Sequence, residues 1–235
     1  MNIINGKMNK YLKYPIYKPE ITKEEINNVN NCLKSTWISS KGEYINSFES
    51  KIKEYVGANY CSVVSNGTVA LHLALKALDI KSNDDVLVPD FTYIATVNSV
   101  LYVGANPIFC DVNPKTWNIS IDEIIKKFTN KTKAIIVTDI YGNPVDIEPI
   151  ISFAKEKNIY VIEDAAESFG AEYRGKKCGT LADIGTYSFF GNKTITTGEG
   201  GAVITKNKNY FNLIEKLKNQ GNSLNKKYYH DIMGY

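Results

Sequence analysis

Short apolar runs alternate with amphipathic segments over most of the chain. The apolar runs predict strands at 86–89, 107–112, 134–137, 160–162 and 202–205. Apolar positions spaced by polar residues predict helices at 22–33, 44–55, 69–78, 93–102, 121–128 and 147–157. This alternation predicts an α/β fold, a three-layer sandwich in which a mostly parallel central sheet carries helices on both faces.

Signals at the helix starts and at the chain start refine this organisation. Thr22 and Glu25 stand three residues apart, as in a capping box, so we expect Thr22 to cap the first helix. Asp146 precedes the helix at 147–157, and we expect its carboxylate to cap that helix. The Asn- and Lys-rich residues 1–13 predict a disordered N-terminal extension, and residues 14–235 then form one large domain.

Composition and charge narrow the classes of function. The 235 residues are 43% hydrophobic and 23% charged, which is ordinary for a globular protein. The formal net charge of +3 is too small to indicate nucleic acid or a membrane surface as a partner. No apolar run reaches membrane-spanning length and no signal peptide is evident, so we expect a cytoplasmic protein. The cysteines lack metal-type spacing, which predicts reduced thiols and no metal site at Cys32, Cys61, Cys110 and Cys178.

One lysine lies in a loop between two β-type runs. Lys193 follows the run from residue 185 and sits in a turn rich in threonine and glycine. Taken alone, a lysine is most often a solvated surface group. Asp164, however, ends the strand predicted at 160–162, and ligands bind at the carboxyl ends of parallel strands. This pair suits pyridoxal 5'-phosphate (PLP), which needs an amine to form a Schiff base and an acid beside its pyridine nitrogen.

A third segment, Asn66-Gly67-Thr68, is a candidate phosphate seat. It precedes the helix at 69–78, where free backbone N–H groups and the helix dipole favour an anion. The Thr68 hydroxyl supplies a further donor. The same residues also fit an ordinary helix cap, and the dipole alone contributes only about 0.3–1 kcal/mol. Holding a phosphate there therefore requires several direct hydrogen bonds.

These three segments, in this order, resemble one known family. Residues 66–68, 163–167 and 188–201 resemble the DegT/DnrJ/EryC1/StrS family of PLP-dependent nucleotide-sugar aminotransferases, most closely its perosamine synthase branch. The resemblance runs from about residue 14 to residue 235, and the segment around Lys193 is its most specific part. It implies the large domain of a fold-type I PLP transferase.

The resemblance implies roles for residues around the cofactor ring. Lys193 would form the Schiff base and then serve as general acid and base, and Asp164 would pair with the pyridine nitrogen. Tyr93 would lie against the ring face, although by sequence alone it fits a core or surface tyrosine equally well. Glu167, where many relatives carry glutamine, would lie near the ring oxygen.

The resemblance also implies phosphate contacts and one departure. Gly67, Thr68 and Ser188 would contact the cofactor phosphate, although a serine at a strand end is usually just exposed. Relatives commonly show histidine at the position of Asp139, which puts the substrate pocket of this chain in question.

The implied activity is amino transfer from L-glutamate to a nucleotide-linked 4-keto-6-deoxy sugar, as in GDP-perosamine synthesis for cell-surface polysaccharide. GDP is the first candidate nucleotide, with UDP or dTDP behind it, and a homodimer is expected from the family. A sugar dehydratase of the same family is disfavoured because those relatives replace the lysine that this chain keeps as Lys193.

The C-terminal residues bear on whether this chain carries out the implied amino transfer. Residues 228–235 match the beginning of a family motif that continues Asn-Tyr-Arg, so we expect the C-terminal small domain of the relatives to be missing. Two alternatives stay open. The first is an active aminotransferase that works alone or is completed by another chain. The second is a non-catalytic truncated form, or half of a split enzyme, that binds PLP or a partner chain without turnover.

Overall fold

The computed structural model describes residues 17–223 and 225–235. The extension predicted at residues 1–13 lies outside them. The helices are α1 (Lys23–Lys34), α2 (Glu43–Val56), α3 (Gly67–Ala77), α4 (Ile94–Tyr102), α5 (Ile121–Lys127), α6 (Ile147–Lys157) and α7 (Lys208–Lys218), with a 3-10 turn at Ile140–Gly142. The strands are β1 (Tyr60–Val64), β2 (Asp85–Pro89), β3 (Asn106–Cys110), β4 (Thr132–Thr138), β5 (Tyr160–Asp164), β6 (Glu172–Tyr173), β7 (Lys176–Lys177), β8 (Ile184–Ser188) and β9 (Gly201–Thr205).

Seven strands form one central sheet in the order β1-β9-β8-β5-β4-β2-β3. The pairs β3/β2, β2/β4, β4/β5 and β5/β8 are parallel, whereas β9 runs antiparallel to both of its neighbours. The mostly parallel sheet is therefore confirmed. Because β1, β4, β5 and β8 all point the same way, their carboxyl ends meet at one edge of the sheet.

Helices cover both faces of this sheet, as a three-layer sandwich requires. Side chains alternate between the faces: Ile162 packs in the core beneath α3, α4 and α7, whereas the adjacent Val161 packs in the core beneath α5 and α6. A third buried cluster lies between α2 and the β8/β9 region, where Phe189 contacts Phe48. None of the helices in the described part of the chain has the length and apolar character to cross a bilayer.

The structure confirms one predicted cap and contradicts the other. Thr22 and Glu25 form the reciprocal capping box at the start of α1. Asp146 precedes α6, but its side chain makes no capping hydrogen bond. The carboxylate of Asp146 instead accepts a hydrogen bond from the Tyr173 hydroxyl of the β6/β7 hairpin. The predicted cap was wrong because the carboxylate of Asp146 binds this tertiary partner instead of the first turn of α6.

Candidate active site

A cavity of about 310 Å³ opens at the sheet edge where the parallel strands end. Thr138, Asp164 and Ser188, the last residues of β4, β5 and β8, contribute to its wall. The first turn of α3 closes one side, and the loop that follows β8 closes another. The cavity therefore forms at the edge that the sequence predicted for ligand binding.

The loop after β8 presents Lys193 to this cavity. Its shape is held by threonine hydroxyls: the Thr196 hydroxyl donates to the Phe189 carbonyl at 3.0 Å and accepts from the Gly198 N–H at 2.9 Å. The N–H of Lys193 itself donates to the Phe190 carbonyl at 2.9 Å. The Lys193 side chain is only 15% exposed. Lys193 is therefore not a solvated surface lysine.

Glu167 is the ionic partner of Lys193. Its Oε1 accepts from Lys193 Nζ at 3.3 Å, while its Oε2 accepts from the Tyr141 N–H at 2.7 Å. The backbone of Tyr141 lies in the left-handed region, with φ of 52°, inside the 3-10 turn. A non-glycine residue in that region is uncommon, and such residues concentrate at functional sites. Glu167 thus links the lysine loop to the turn after β4.

Asp164 is buried at the bottom of the cavity. Its Oδ2 accepts from the Thr96 hydroxyl at 2.9 Å, and its Oδ1 accepts from the Ala166 N–H at 3.3 Å. Burial raises the pKa of Asp164 to about 6, against the opposing effects of these two hydrogen bonds and of Lys193. Asp164 therefore keeps its proton to a higher pH than an ordinary aspartate and is mostly ionised at physiological pH.

The start of α3 forms the candidate phosphate seat. Asn66 caps the helix, because its side-chain oxygen accepts from the Val69 N–H at 3.0 Å. Within residues 17–223 and 225–235, the N–H groups of Gly67 and Thr68 have no hydrogen-bond acceptor. Both residues line the cavity. Two free donors and the positive end of an 11-residue helix therefore face the same space.

Two glycines allow this seat to form. A methyl group placed on Gly67 would lie 2.9 Å from the Ser188 Cβ, so only glycine lets Ser188 approach the helix start this closely. A methyl group on Gly201 would lie 2.5 Å from the Asn66 carbonyl carbon. Gly201 pairs with both Val64 and Ser188 in the sheet, so it brings β1, β8 and the helix start together.

Exposed aromatic side chains lie at the cavity and next to Glu167 of its wall. Tyr93 lines the cavity and is 69% exposed. Phe91, Trp117 and Tyr141 form a cluster with ring centroids 5.6 to 6.3 Å apart. Trp117, like Tyr141, has a left-handed backbone, with φ of 62°. The sequence analysis did not predict this aromatic cluster.

The structure brings all the predicted site residues to one cavity. The wall includes every one of them: Gly67, Thr68, Tyr93, Asp164, Glu167, Ser188 and Lys193. This set fits PLP, because it offers free N–H donors for a phosphate, a buried carboxylate for a ring nitrogen and an amine for a carbonyl carbon. Four further polar residues of the same wall were missed by the sequence reasoning: Asn66 as a side chain, Thr138, Asn192 and Glu199.

A second group of titratable side chains lies behind the site. Asp139, Glu163 and Cys178 are buried, and their ligand-type atoms all lie within 4.8 Å of one another. Burial raises the pKa of both carboxyl groups, and for Glu163 the neighbouring Asp139 raises it further. Two carboxyl groups this close in a dry environment cannot both ionise easily, and Glu163, whose pKa is raised to about 8, is the one that keeps its proton at neutral pH.

Replacing Glu163 by glutamine is expected to stabilise the protein at alkaline pH. The raised pKa means that folded Glu163 holds a proton between the ordinary glutamate value and its own higher value, so stability falls as pH rises through that interval. Glutamine stays neutral and its carbonyl still accepts from the Leu181 N–H. The gain in unfolding free energy at pH 8.5 relative to pH 4.5 should be up to about 5 kcal/mol, from a pKa shift of roughly 3.5 units. Urea unfolding at the two pH values measures it.

The control for this experiment is an exposed glutamate. Glu156 on α6 is 70% exposed, and glutamine at that position should leave the pH dependence unchanged. A Glu163→Gln variant whose stability differs from the wild type by the same amount at both pH values would contradict the raised pKa of Glu163.

Sequence comparison places these observations among known proteins. The profile of the DegT/DnrJ/EryC1/StrS aminotransferase family matches residues 19–235. The chain is 53% identical over 225 residues to a GDP-perosamine synthase from Escherichia coli O157:H7. The aligned region covers 95% of this chain and 62% of that protein.

Solved structures share the fold. An aminotransferase from Psychrobacter cryohalolentis matches with a TM-score of 0.87 and 34% identity, over 92% of this chain and 58% of that one. The PLP form of the putative sugar aminotransferase Spr1654 from Streptococcus pneumoniae matches with a TM-score of 0.87 and 27% identity, over 94% of this chain and 61% of that one. The chain thus spans about three fifths of the length of these relatives.

Proposed function

Because the chain belongs to the DegT/DnrJ/EryC1/StrS aminotransferase family, we propose that it takes part in amino transfer from L-glutamate to a nucleotide-linked 4-keto-6-deoxy sugar, with PLP as cofactor. Residues 14–235 form the cofactor-binding large domain in this proposal. The observation that carries it is the meeting of Lys193 and Asp164 in one cavity with the free N–H groups of α3.

Several residues of the cavity would have a task in this reaction. When bound, PLP supplies an electrophilic carbonyl and an electron-accepting ring. The Gly67 and Thr68 N–H groups, with the Ser188 hydroxyl, bind the phosphate. Asp164 holds a proton on the ring nitrogen through its buried carboxylate.

Lys193 moves protons in the transfer. With the cofactor bound, its Nζ as a free amine would serve as the general base and then the general acid of the transfer. Glu167 Oε1 lies 3.3 Å from that nitrogen and accepts a hydrogen bond from it, which fixes the direction in which the amine points. The low exposure of the Lys193 side chain keeps bulk water away from this step.

The proposed acceptor is a GDP-linked sugar. Support comes from the relative with 53% identity, which is a GDP-perosamine synthase. Tyr141, whose N–H donates to Glu167 of the cavity wall, packs with Phe91 and Trp117, and the exposed ring surface of this cluster suits the apolar face of a deoxy sugar or a nucleotide base.

A homodimer is part of the proposal. The apolar side chains of α1 provide surface for a partner, since Ile26, Val29 and Leu33 are each more than half exposed. An apolar helix face of this kind is typical of a protein–protein contact.

The test begins with a visible absorption spectrum of the purified chain with added PLP. We expect a bound visible band, borohydride fixation of the cofactor, and a labelled peptide that contains Lys193. Addition of L-glutamate should then remove the band and release 2-oxoglutarate. A GDP-linked 4-keto-6-deoxyhexose should restore the band as the amino sugar forms, and its dTDP-linked counterpart should do so more slowly.

The outcomes separate the alternatives. A chain that binds PLP at Lys193 but does not respond to glutamate would be a cofactor-binding protein without turnover. A chain that binds no PLP, or that is labelled at other lysines, would contradict the proposed function.

A further inference from the structure

Three threonine hydroxyls lie in a row that ends on Asp164. The Thr96 hydroxyl donates to Asp164 Oδ2 at 2.9 Å. The Thr92 hydroxyl lies 2.9 Å from the Thr96 hydroxyl, and the Thr138 hydroxyl lies 3.2 Å from that of Thr92. Thr96 is fully buried, and Thr138 is 5% exposed. The row therefore connects the cavity wall at Thr138 with the carboxylate through the interior of the protein.

The charge of Asp164 fixes the direction of these hydrogen bonds. A hydroxyl has one proton to donate, and an ionised carboxylate can only accept. When Thr96 donates to Asp164, its oxygen is free to accept from Thr92, and Thr92 is then free to accept from Thr138. All three O–H dipoles then point toward the carboxylate, and hydrogen bonds in such a row strengthen one another.

Separate parts of the chain supply the row. Thr92 lies in the segment after β2, Thr96 in the first turn of α4, and Thr138 at the end of β4, next to Asp164 in the sheet. The N–H of Thr96 donates to the Tyr93 carbonyl at 3.1 Å, which ties the same turn to the exposed ring over the cavity. A fixed helix turn therefore holds the donor hydroxyl in place.

We propose that Thr96, supported by Thr92 and Thr138, is the positioning residue that keeps the Asp164 carboxylate ionised and oriented toward the cavity. The importance of this role for catalysis rests on the proposed function, because an ionised Asp164 is what keeps a bound ring nitrogen protonated. The hydrogen-bond row itself is a property of the chain without cofactor.

Other groups also act on Asp164, and the test must separate them from Thr96. Burial is the largest influence and raises the pKa of Asp164. The Thr96 hydroxyl, the Ala166 N–H and the charge of Lys193 lower it, whereas Asp139 raises it. Among these, Thr96 can be changed without altering any charge, and Thr96 is not itself a residue of the cavity wall.

The decisive experiment is a carboxyl-carbon NMR titration of the cofactor-free chain, labelled with ¹³C-aspartate. The Asp164 signal is assigned by its loss in Asp164→Asn. In Thr96→Val, which keeps the shape but removes the hydroxyl, the titration midpoint should rise by about one to two pH units, the effect of one hydrogen bond to a charged group. In Thr96→Ser, which restores the hydroxyl, the midpoint should stay near that of the wild type.

A second substitution tests the row beyond Thr96. Thr92 is half-buried, and Thr92→Val should raise the midpoint in the same direction by a smaller amount, because Thr96 loses the donor behind it. This variant also keeps the proposal testable if Thr96→Val does not fold. An unchanged midpoint in Thr92→Val would show that Thr92 and Thr138 do not support the hydrogen bond from Thr96 to Asp164.

Two results would overturn the role of Thr96: a midpoint that is unchanged in Thr96→Val, or equal shifts in Thr96→Val and Thr96→Ser. Failure of the proposed function looks different, since a chain that binds no PLP can still show the expected titration. With PLP bound, the pH at which its visible band changes should also move in Thr96→Val and return in Thr96→Ser.

Discussion

Replacing Lys193 by alanine is expected to abolish amino transfer while leaving the fold intact. The side chain is the cavity amine, and in the proposed function its loss removes both the covalent attachment of the cofactor and the group that moves protons. We expect the glutamate-driven reaction to fall by at least about 10⁴-fold, since general acid–base catalysis alone contributes about 10²–10⁴-fold. Stopped-flow absorbance with L-glutamate and borohydride labelling measure the two effects separately.

The structure predicts what survives in Lys193→Ala. The phosphate seat at Gly67 and Thr68 and the carboxylate of Asp164 remain, so the variant should still bind PLP without a covalent bond. Glu167 keeps its hydrogen bond from the Tyr141 N–H, so it is not left without a partner. A small primary amine such as methylamine should restore part of the proton transfer, because it occupies the space that the side chain vacated.

An exposed lysine provides the matched control. Lys206 follows β9 at the opposite end of that strand, and Lys206→Ala should leave binding and labelling unchanged. A Lys193→Ala variant that retains normal turnover, or one that cannot be rescued and is also unfolded by circular dichroism, would contradict this account of Lys193.

The inner parallel strands were predictable because they are buried on both faces and read as continuous apolar runs, whereas β1 was not predicted. β4 and β5 carry such runs, and each predicted segment lies within the observed strand. The direction of β9 was not predictable from its own residues. It is set by pairing with β1 and β8, and this depends on Gly201, whose missing side chain admits the start of α3.

One helix was missed although its signal is present. α7 begins after Asn207, whose side chain accepts from the N–H groups of its first turn. Ile214 and Leu217 lie three apart on its buried side. Helix caps and apolar spacing would therefore have found it. The error at Asp146 is of another kind, since its competing partner Tyr173 lies 27 residues away in the chain.

Some residues of the candidate site were likewise predictable from the sequence, and others were not. Lys193 and Asp164 were predictable because strand ends and a glycine-rich loop mark them in the sequence. Thr96 was not, because its contact with Asp164 joins positions 68 residues apart and depends on how α4 lies over β5. Local pattern finds the residues that face the ligand, whereas the residues that support them appear only once the elements are packed.

Replacing Asp164 by asparagine should weaken amino transfer and strengthen the fold, two effects of opposite sign. Without the carboxylate, nothing keeps a bound ring nitrogen protonated, so we expect the glutamate-driven reaction to fall by about 10³-fold. The stability change follows from the pKa of about 6, which is above the ordinary value of 3.8. Folded Asp164 therefore holds its proton more tightly than unfolded Asp164, and the protein loses stability as pH rises from about 4 to about 6.

Asparagine escapes this loss because it never ionises, and its side-chain oxygen still accepts from Thr96. The variant should gain up to about 3 kcal/mol of unfolding free energy at pH 8 relative to pH 4, from a pKa shift of roughly two units. Urea unfolding at both pH values measures the gain. Asp79→Asn, an exposed position whose left-handed backbone asparagine tolerates, is the control and should show no pH-dependent change. A buried charge held for catalysis predicts both effects together. An Asp164→Asn variant that gains no stability at pH 8 relative to pH 4 would contradict the raised pKa of Asp164, and one that keeps normal turnover would contradict its role at the ring nitrogen.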